Sequence, residues 1–197
     1  MPTLYSIKPA FQNLLRPIAA KLVAIGVTAN MVTISACLLS IATGLLVALF
    51  HATSAIFWLL PFVLFVRMAL NAIDGMMARE FGQASRLGMY LNELTDVIAD
   101  AALILPFALI PAFDILGVVL FALIAMLTEF AGVIGGTRRY DGPFGKSDRA
   151  LALGIIAALL AFGTTFSSWG GWLFPALALL SIFTVINRVR AGLKEAS

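Results

Sequence analysis

Between Asn71 and Asp96 the chain carries polar side chains, at helical spacing, that a lipid-embedded segment should reject. The run is Asn71-Ala72-Ile73-Asp74-Gly75-Met76-Met77-Ala78-Arg79, then eight residues, then Gly88, Asn92 and Asp96. Asn71, Asp74 and Ala78 share one helix face, and so do Asn92 and Asp96. Folded back about a turn near Gln83, Asp74 and Asn92 each stand nine residues from its centre, Asn71 twelve and Asp96 thirteen. Two carboxylates and two amides can then converge in two layers, a donor set suited to a hard divalent cation such as Mg2+ or Mn2+. Gly75 leaves a surface without a side chain, where phosphates can come close. Ala78 does the same one turn later, and Arg79 can clamp a phosphate with its planar fork. Ionisable groups are costly in apolar helices and mark binding or catalytic sites when they persist there.

The elements that hold this run must be membrane helices. The chain is 61% hydrophobic with a mean hydropathy of +1.02, which excludes an ordinary soluble domain. Apolar segments of about 20 residues can cross a bilayer, and six are visible, at 31–50, 55–72, 88–109, 116–134, 150–166 and 171–186. The third is the least apolar because the motif fills its first half. Lys8, Arg16, Lys21, Arg79, Arg86, Arg138, Arg139, Lys146, Arg149, Arg188, Arg190 and Lys194 all fall on one side; of the thirteen basic residues only Arg67 lies within a span. The positive-inside rule puts that side, both termini and the motif in the cytoplasm. Trp169 and Trp172 lie in an uncharged loop opposite, where interfacial aromatics anchor.

Residues 1–24 lack the apolar core of a signal peptide. Leu4, Ile7, Phe11, Leu14, Ile18 and Leu22 recur every three or four positions among cations, which predicts an amphipathic helix on the cytoplasmic face, bent at Pro17. Residues 25–197 then form one six-helix domain, an all-α integral membrane protein. Asp141-Gly142-Pro143 marks a turn, and Gly132 and Gly136 a pattern that permits close helix contact. The net charge of +3 comes from membrane-flanking cations, so nucleic acid is not an expected partner. Cys37, the single cysteine, sits in an apolar span and forms no intramolecular disulfide; His51 reads as structural.

The spacing from Asn71 to Asp96 resembles the signature of the CDP-alcohol phosphotransferases, D-x2-D-G-x2-A-R-x8-G-x3-D-x3-D. Asp74, Gly75, Ala78, Arg79, Gly88 and Asp96 match; Asn71 and Asn92 stand where the family carries aspartates. Asn30-Met31-Val32-Thr33 resembles the family's P-N-x-x-T stretch, with Ala29 in place of the proline, and Gly145-Lys146 begins like its G-K-x-K-T. The resemblance implies a membrane enzyme of phospholipid synthesis, usually a homodimer, facing the cytoplasm from the inner membrane. A CDP-linked lipid such as CDP-diacylglycerol would give its phosphatidyl group to an alcohol and release CMP. Asn71, Asp74, Asn92 and Asp96 would hold one or two Mg2+ or Mn2+ ions, and Asp96 would be the general base. Asn30, Thr33, Asp74, Gly75, Ala78 and Arg79 would bind the nucleotide.

The two asparagines keep ligand oxygens but reduce four motif charges to two. A silent CDP-lipid-binding protein is therefore an alternative to an active transferase. A transporter using Asp74, Asp96, Asp100 and Arg67 is another, but no internal repeat supports it. Arg67 and Asp100 lie one turn deeper at matching depth, where a structural ion pair is expected; Glu129 can join it or meet Arg138 or Arg139. Arg138, Arg139, Lys146 and Arg149 crowd one cytoplasmic connection. They suit a small acceptor that itself carries a phosphate, with Lys146 at the partial G-K match.

Overall fold

The computed structural model describes the backbone of residues 4–134, 138–167 and 169–195, and among them every regular element is helical. In chain order these are α1 (Leu4–Ala24), α2 (Ala29–Phe50), α3 (Leu59–Glu80), α4 (Arg86–Ile104), α5 (Ile115–Val133), α6 (Lys146–Ala161) and α7 (Gly170–Glu195). Short 3-10 turns, Ser54–Trp58 and Leu105–Leu109, lead into α3 and extend α4. Helix α1 runs through both Pro9 and Pro17. Among the described residues, four stretches are long and apolar enough to cross a membrane: Ala29–Phe50, Ser54–Glu80, Ile115–Val133 and Gly170–Lys194. Helix α4 falls short because it carries the motif, and α6 because it has only 16 residues. The chain is an integral membrane protein.

Several local features close one end of the bundle. Thr28 caps α2 by accepting from the Met31 N–H, and the Gln83 side chain accepts from the Ala29 N–H at 2.7 Å. The turn between α3 and α4 is thereby tied to the start of α2. Ser85 caps α4 by accepting from the Gly88 N–H. Bonds at this same end join α2 to α3, α4 to α6, and α5 to α7, so the starts of α2, α4 and α6 meet the ends of α3, α5 and α7. All the basic residues outside α3 belong to elements or connections at this end, apart from those of α1. Helix α1 joins it through Arg16, paired with Glu80 at 2.8 Å, and through Leu15 and Ala19, buried against α2 and α3.

Close approach of α2 to α4 depends on Gly44. A Cβ there would stand 2.1 Å from the backbone oxygen of Ala102, a contact no side chain can make. The opposite end is filled by rings: Phe107 packs on Phe57, Phe113 and Phe174, and Phe113 also meets Phe166. Gly132 on α5 makes room for α7: its open side faces the guanidinium of Arg188, which a Cβ would approach to 2.9 Å. Gly136 lies outside the described residues.

Candidate active site

The motif occupies the end of α3 and the first turns of α4, with the start of α2 alongside. Thr33 donates to Asp74 Oδ2 at 2.7 Å, which brings the upstream Asn30–Thr33 stretch against the motif. Asn30 reaches α4 beside Gly88, where a Cβ would come within 2.9 Å of its Oδ1; the absence of a side chain at residue 88 makes that room. Arg79 is exposed and folds back over Gly75, so that a Cβ on Gly75 would lie 3.1 Å from its guanidinium. Ala78, half-buried, packs toward α1 and α2.

Asp96 is buried and faces three donors, from the two helices α3 and α6, at one oxygen. Lys146 Nζ lies 2.5 Å from Oδ1, Arg67 Nη2 3.3 Å and Asn71 Nδ2 3.4 Å. Arg67 also donates to the Asp96 carbonyl. The other carboxylate oxygen, Oδ2, takes no hydrogen bond among the described residues. Asn92 turns its amide to Glu93, donating to Oε1 at 3.2 Å. Arg138 donates to that same Glu93 oxygen and stacks over Tyr140.

One turn deeper, Arg67 Nη1 lies 2.5 Å from Asp100 Oδ1. Asp100 Oδ2 faces Arg149 at 3.1 Å, and Arg149 in turn meets Glu129 at 2.7 Å and the Thr128 hydroxyl at 2.7 Å. Arg188 continues the chain of charge, 3.8 Å from Glu129 and donating to the carbonyls of Thr128 and Asp141. Spacing explains the two rungs between α4 and α6. Asp96 and Asp100 are four apart on α4, and Lys146 and Arg149 three apart on α6, so each pair shares a face.

The four cations expected together on the acceptor side are therefore separated. Lys146 reaches the motif, Arg138 stands at its rim on Glu93, and Arg139 lies beyond, 3.9 Å from Asp141. Arg149 is only 1% exposed and is held by Asp100 and Glu129. Sequence reasoning missed Arg188, which reads as one more membrane-flanking cation; only its proximity to Glu129 distinguishes it from Arg190.

The donor set fits a hard divalent cation: carboxylates from Asp74 and Asp96, and amides from Asn71 and Asn92 that can offer oxygens. Among the described residues, no group of three or more His, Cys, Asp and Glu side chains assembles as a metal site, so the amides would be needed.

Residues 26–186 match the family model for CDP-alcohol phosphatidyltransferase. The chain belongs to that family. It is 49% identical over 195 residues, covering 97% of this chain and 96% of the relative, to the inner membrane protein YnbA of Escherichia coli (strain K12). It also resembles the phosphatidylinositol phosphate synthase PgsA1 of Mycobacterium tuberculosis. The structure with CDP-DAG bound aligns at a TM-score of 0.69 and 22% identity, over 90% of this chain and 91% of that one. The complex with manganese and citrate gives 0.68 and 21%, over 91% and 88%. At such identities the likeness is one of fold.

Proposed function

We propose that this protein transfers a phosphatidyl group from CDP-diacylglycerol, or a close CDP-linked lipid, to an alcohol, releasing CMP. The observation that carries the reading is the Thr33–Asp74 bond, which unites the two stretches that resemble the family's nucleotide site in one buried contact. Family membership and the CDP-DAG bound to PgsA1 support the same donor.

Asn30, Thr33, Asp74, Gly75, Ala78 and Arg79 bind the nucleotide, with Gly75 leaving room for phosphates beneath the Arg79 fork. Asp74 and Asp96, with the amide oxygens of Asn71 and Asn92, hold the divalent ion, Mg2+ or Mn2+; the manganese in PgsA1 supports that metal class. When bound, the ion supplies charge stabilisation for the pyrophosphate. Asp96 Oδ2, which takes no hydrogen bond among the described residues, accepts the proton from the acceptor hydroxyl. The acceptor oxygen attacks the β-phosphorus, a new O–P bond forms, and the bond to the bridging oxygen breaks with its electrons leaving on CMP. Lys146 neighbours the attacked centre and Arg138 stands at its rim, which favours an acceptor that carries a phosphate.

The site faces the cytoplasm of the inner membrane, with α2–α7 as six spans and residues 25–197 as one catalytic domain. The segment 1–24, which contains α1, rides on the interface, and the working unit is a homodimer. The inner-membrane relative and the single basic end support this placement. A silent CDP-lipid-binding protein is the second reading, favoured by the three donors loaded on Asp96 Oδ1.

The test is CMP release from CDP-diacylglycerol across phosphorylated and unphosphorylated alcohols, with Mg2+ or Mn2+. Asp96→Asn is expected to lower turnover about 10²- to 10⁴-fold while CDP-lipid binding is kept. If the unmodified chain binds CDP-lipid but releases no CMP with any acceptor, the silent reading replaces the enzyme.

A further inference from the structure

We propose that Lys146 is a resident cation of the motif: its ammonium takes the place at Asp96 that a second metal ion would occupy, so each chain holds one divalent ion. The proposal rests on the reading of Asp74 and Asp96 as ion ligands and concerns what sets the number of ions.

Charge and geometry point the same way. Asn71 and Asn92 remove two negative charges from the motif, and Asp74, Asp96 and Lys146 together carry a formal charge of −1. Lys146 Nζ is 2.5 Å from Asp96 Oδ1, and Arg67 and Asn71 donate to that same oxygen. A metal ion at that oxygen would have to displace the Lys146 ammonium, which holds it at the shortest range. Arg67 has no charge to spare, since it is shared with Asp100, which is shared in turn with Arg149. Both asparagines use their amide nitrogens toward carboxylates, Asn71 toward Asp96 and Asn92 toward Glu93. A second divalent ion would thus meet an ammonium at short range, and like charges there repel strongly. One ion can still be held by Asp74 and the amide oxygens of Asn71 and Asn92, with the pyrophosphate of the donor completing its shell.

Position explains how Lys146 comes to be there. It is the first residue of α6, and the start of that helix is fixed by Asp148 accepting from the Gly145 N–H at 2.9 Å. Three residues on, buried Arg149 locks the same helix face to Asp100 and Glu129. The backbone of Lys146 is therefore held on a rigid element, within reach of Asp96.

Counting ions decides the matter. Purified full-length chain in detergent with saturating CDP-diacylglycerol is titrated with Mn2+, and free Mn2+ is read by electron paramagnetic resonance. The unmodified chain is expected to bind one Mn2+, and Lys146→Arg the same. Lys146→Met should tighten Mn2+ binding roughly tenfold by removing a neighbouring like charge. Combining it with Asn71→Asp and Asn92→Asp should admit a second ion. Two ions, or none, on the unmodified chain overturns the proposal, and so does a Lys146→Met affinity within about twofold of the original. CDP-diacylglycerol binding, followed on the same samples, reports the fold of each variant and separates the two readings. Lipid bound with Mn2+ indifferent to Lys146 removes the lysine assignment alone. An unmodified chain that binds no CDP-lipid removes the functional reading beneath it.

Discussion

One end of this bundle is joined by charge and the other by aromatic rings. At the basic end, Arg67, Asp100, Arg149, Glu129 and Arg188 link α3, α4, α6, α5 and α7 in an alternating series. At the far end, Phe107, Phe113, Phe121 and Phe174 interleave, with ring centroids 5.1 to 6.1 Å apart among Phe107, Phe113 and Phe174. The two solutions differ in what they specify. Lipid is as apolar as a phenyl ring, so rings hold helices through packing and shape, with little direction. Charges in a low-dielectric setting act along particular vectors, and each must keep its partner. The aromatic end can therefore carry stability, while the charged end also fixes where Asp96 and Lys146 stand.

The strongest way to break this division is to remove the centre of the charged series. Arg149→Leu leaves Asp100 and Glu129 short of a partner and should cost about 3–5 kcal/mol, read as a lowered denaturation midpoint in detergent. Because Arg149 aligns the α6 face that presents Lys146, CDP-lipid binding should weaken too. A variant that loses stability while keeping full CDP-lipid affinity would show that the series does not position the site.

Phe174→Ala sharpens the contrast from the other end. The cavity among Phe107, Phe113 and Phe121 should cost about 2–4 kcal/mol, with the cavity part dominating because lipid offers the rings little transfer gain. CDP-lipid affinity in the fraction that stays folded should be unchanged. A matching loss of affinity would mean that packing at the far end reaches the motif after all.

The smallest effect is expected at Arg16, whose pair with Glu80 is about half exposed. Arg16→Ala should hardly move the midpoint, because a solvated pair gains little over water. Any consequence should appear in how firmly α1 lies on anionic lipid, measured by its protection from proteolysis in vesicles that hold the chain.

Much of this architecture follows from the sequence because it rests on local rules. Runs of apolar residues demand membrane helices, and twelve cations outside the spans give the bundle one basic end. Helical periodicity puts Asp96 and Asp100 on one face of α4, and nearly equal distances from the Gln83 turn set Asn71 and Asp96 at similar depth, where their side chains come to 3.4 Å. What the sequence could not rank was the partnership of like cations. Arg138, Arg139, Lys146 and Arg149 sit within twelve residues and look equivalent, yet one meets Glu93, one lies near Asp141, one meets Asp96 and one is buried between Asp100 and Glu129. Arg188, more than fifty residues from Glu129, is placed beside it by the packing of α5 on α7. Spacing along a chain determines which side chains share a helix face. Which face meets which, and so which charge neutralises which, depends on contacts between helices distant in sequence, and only the tertiary structure decides those.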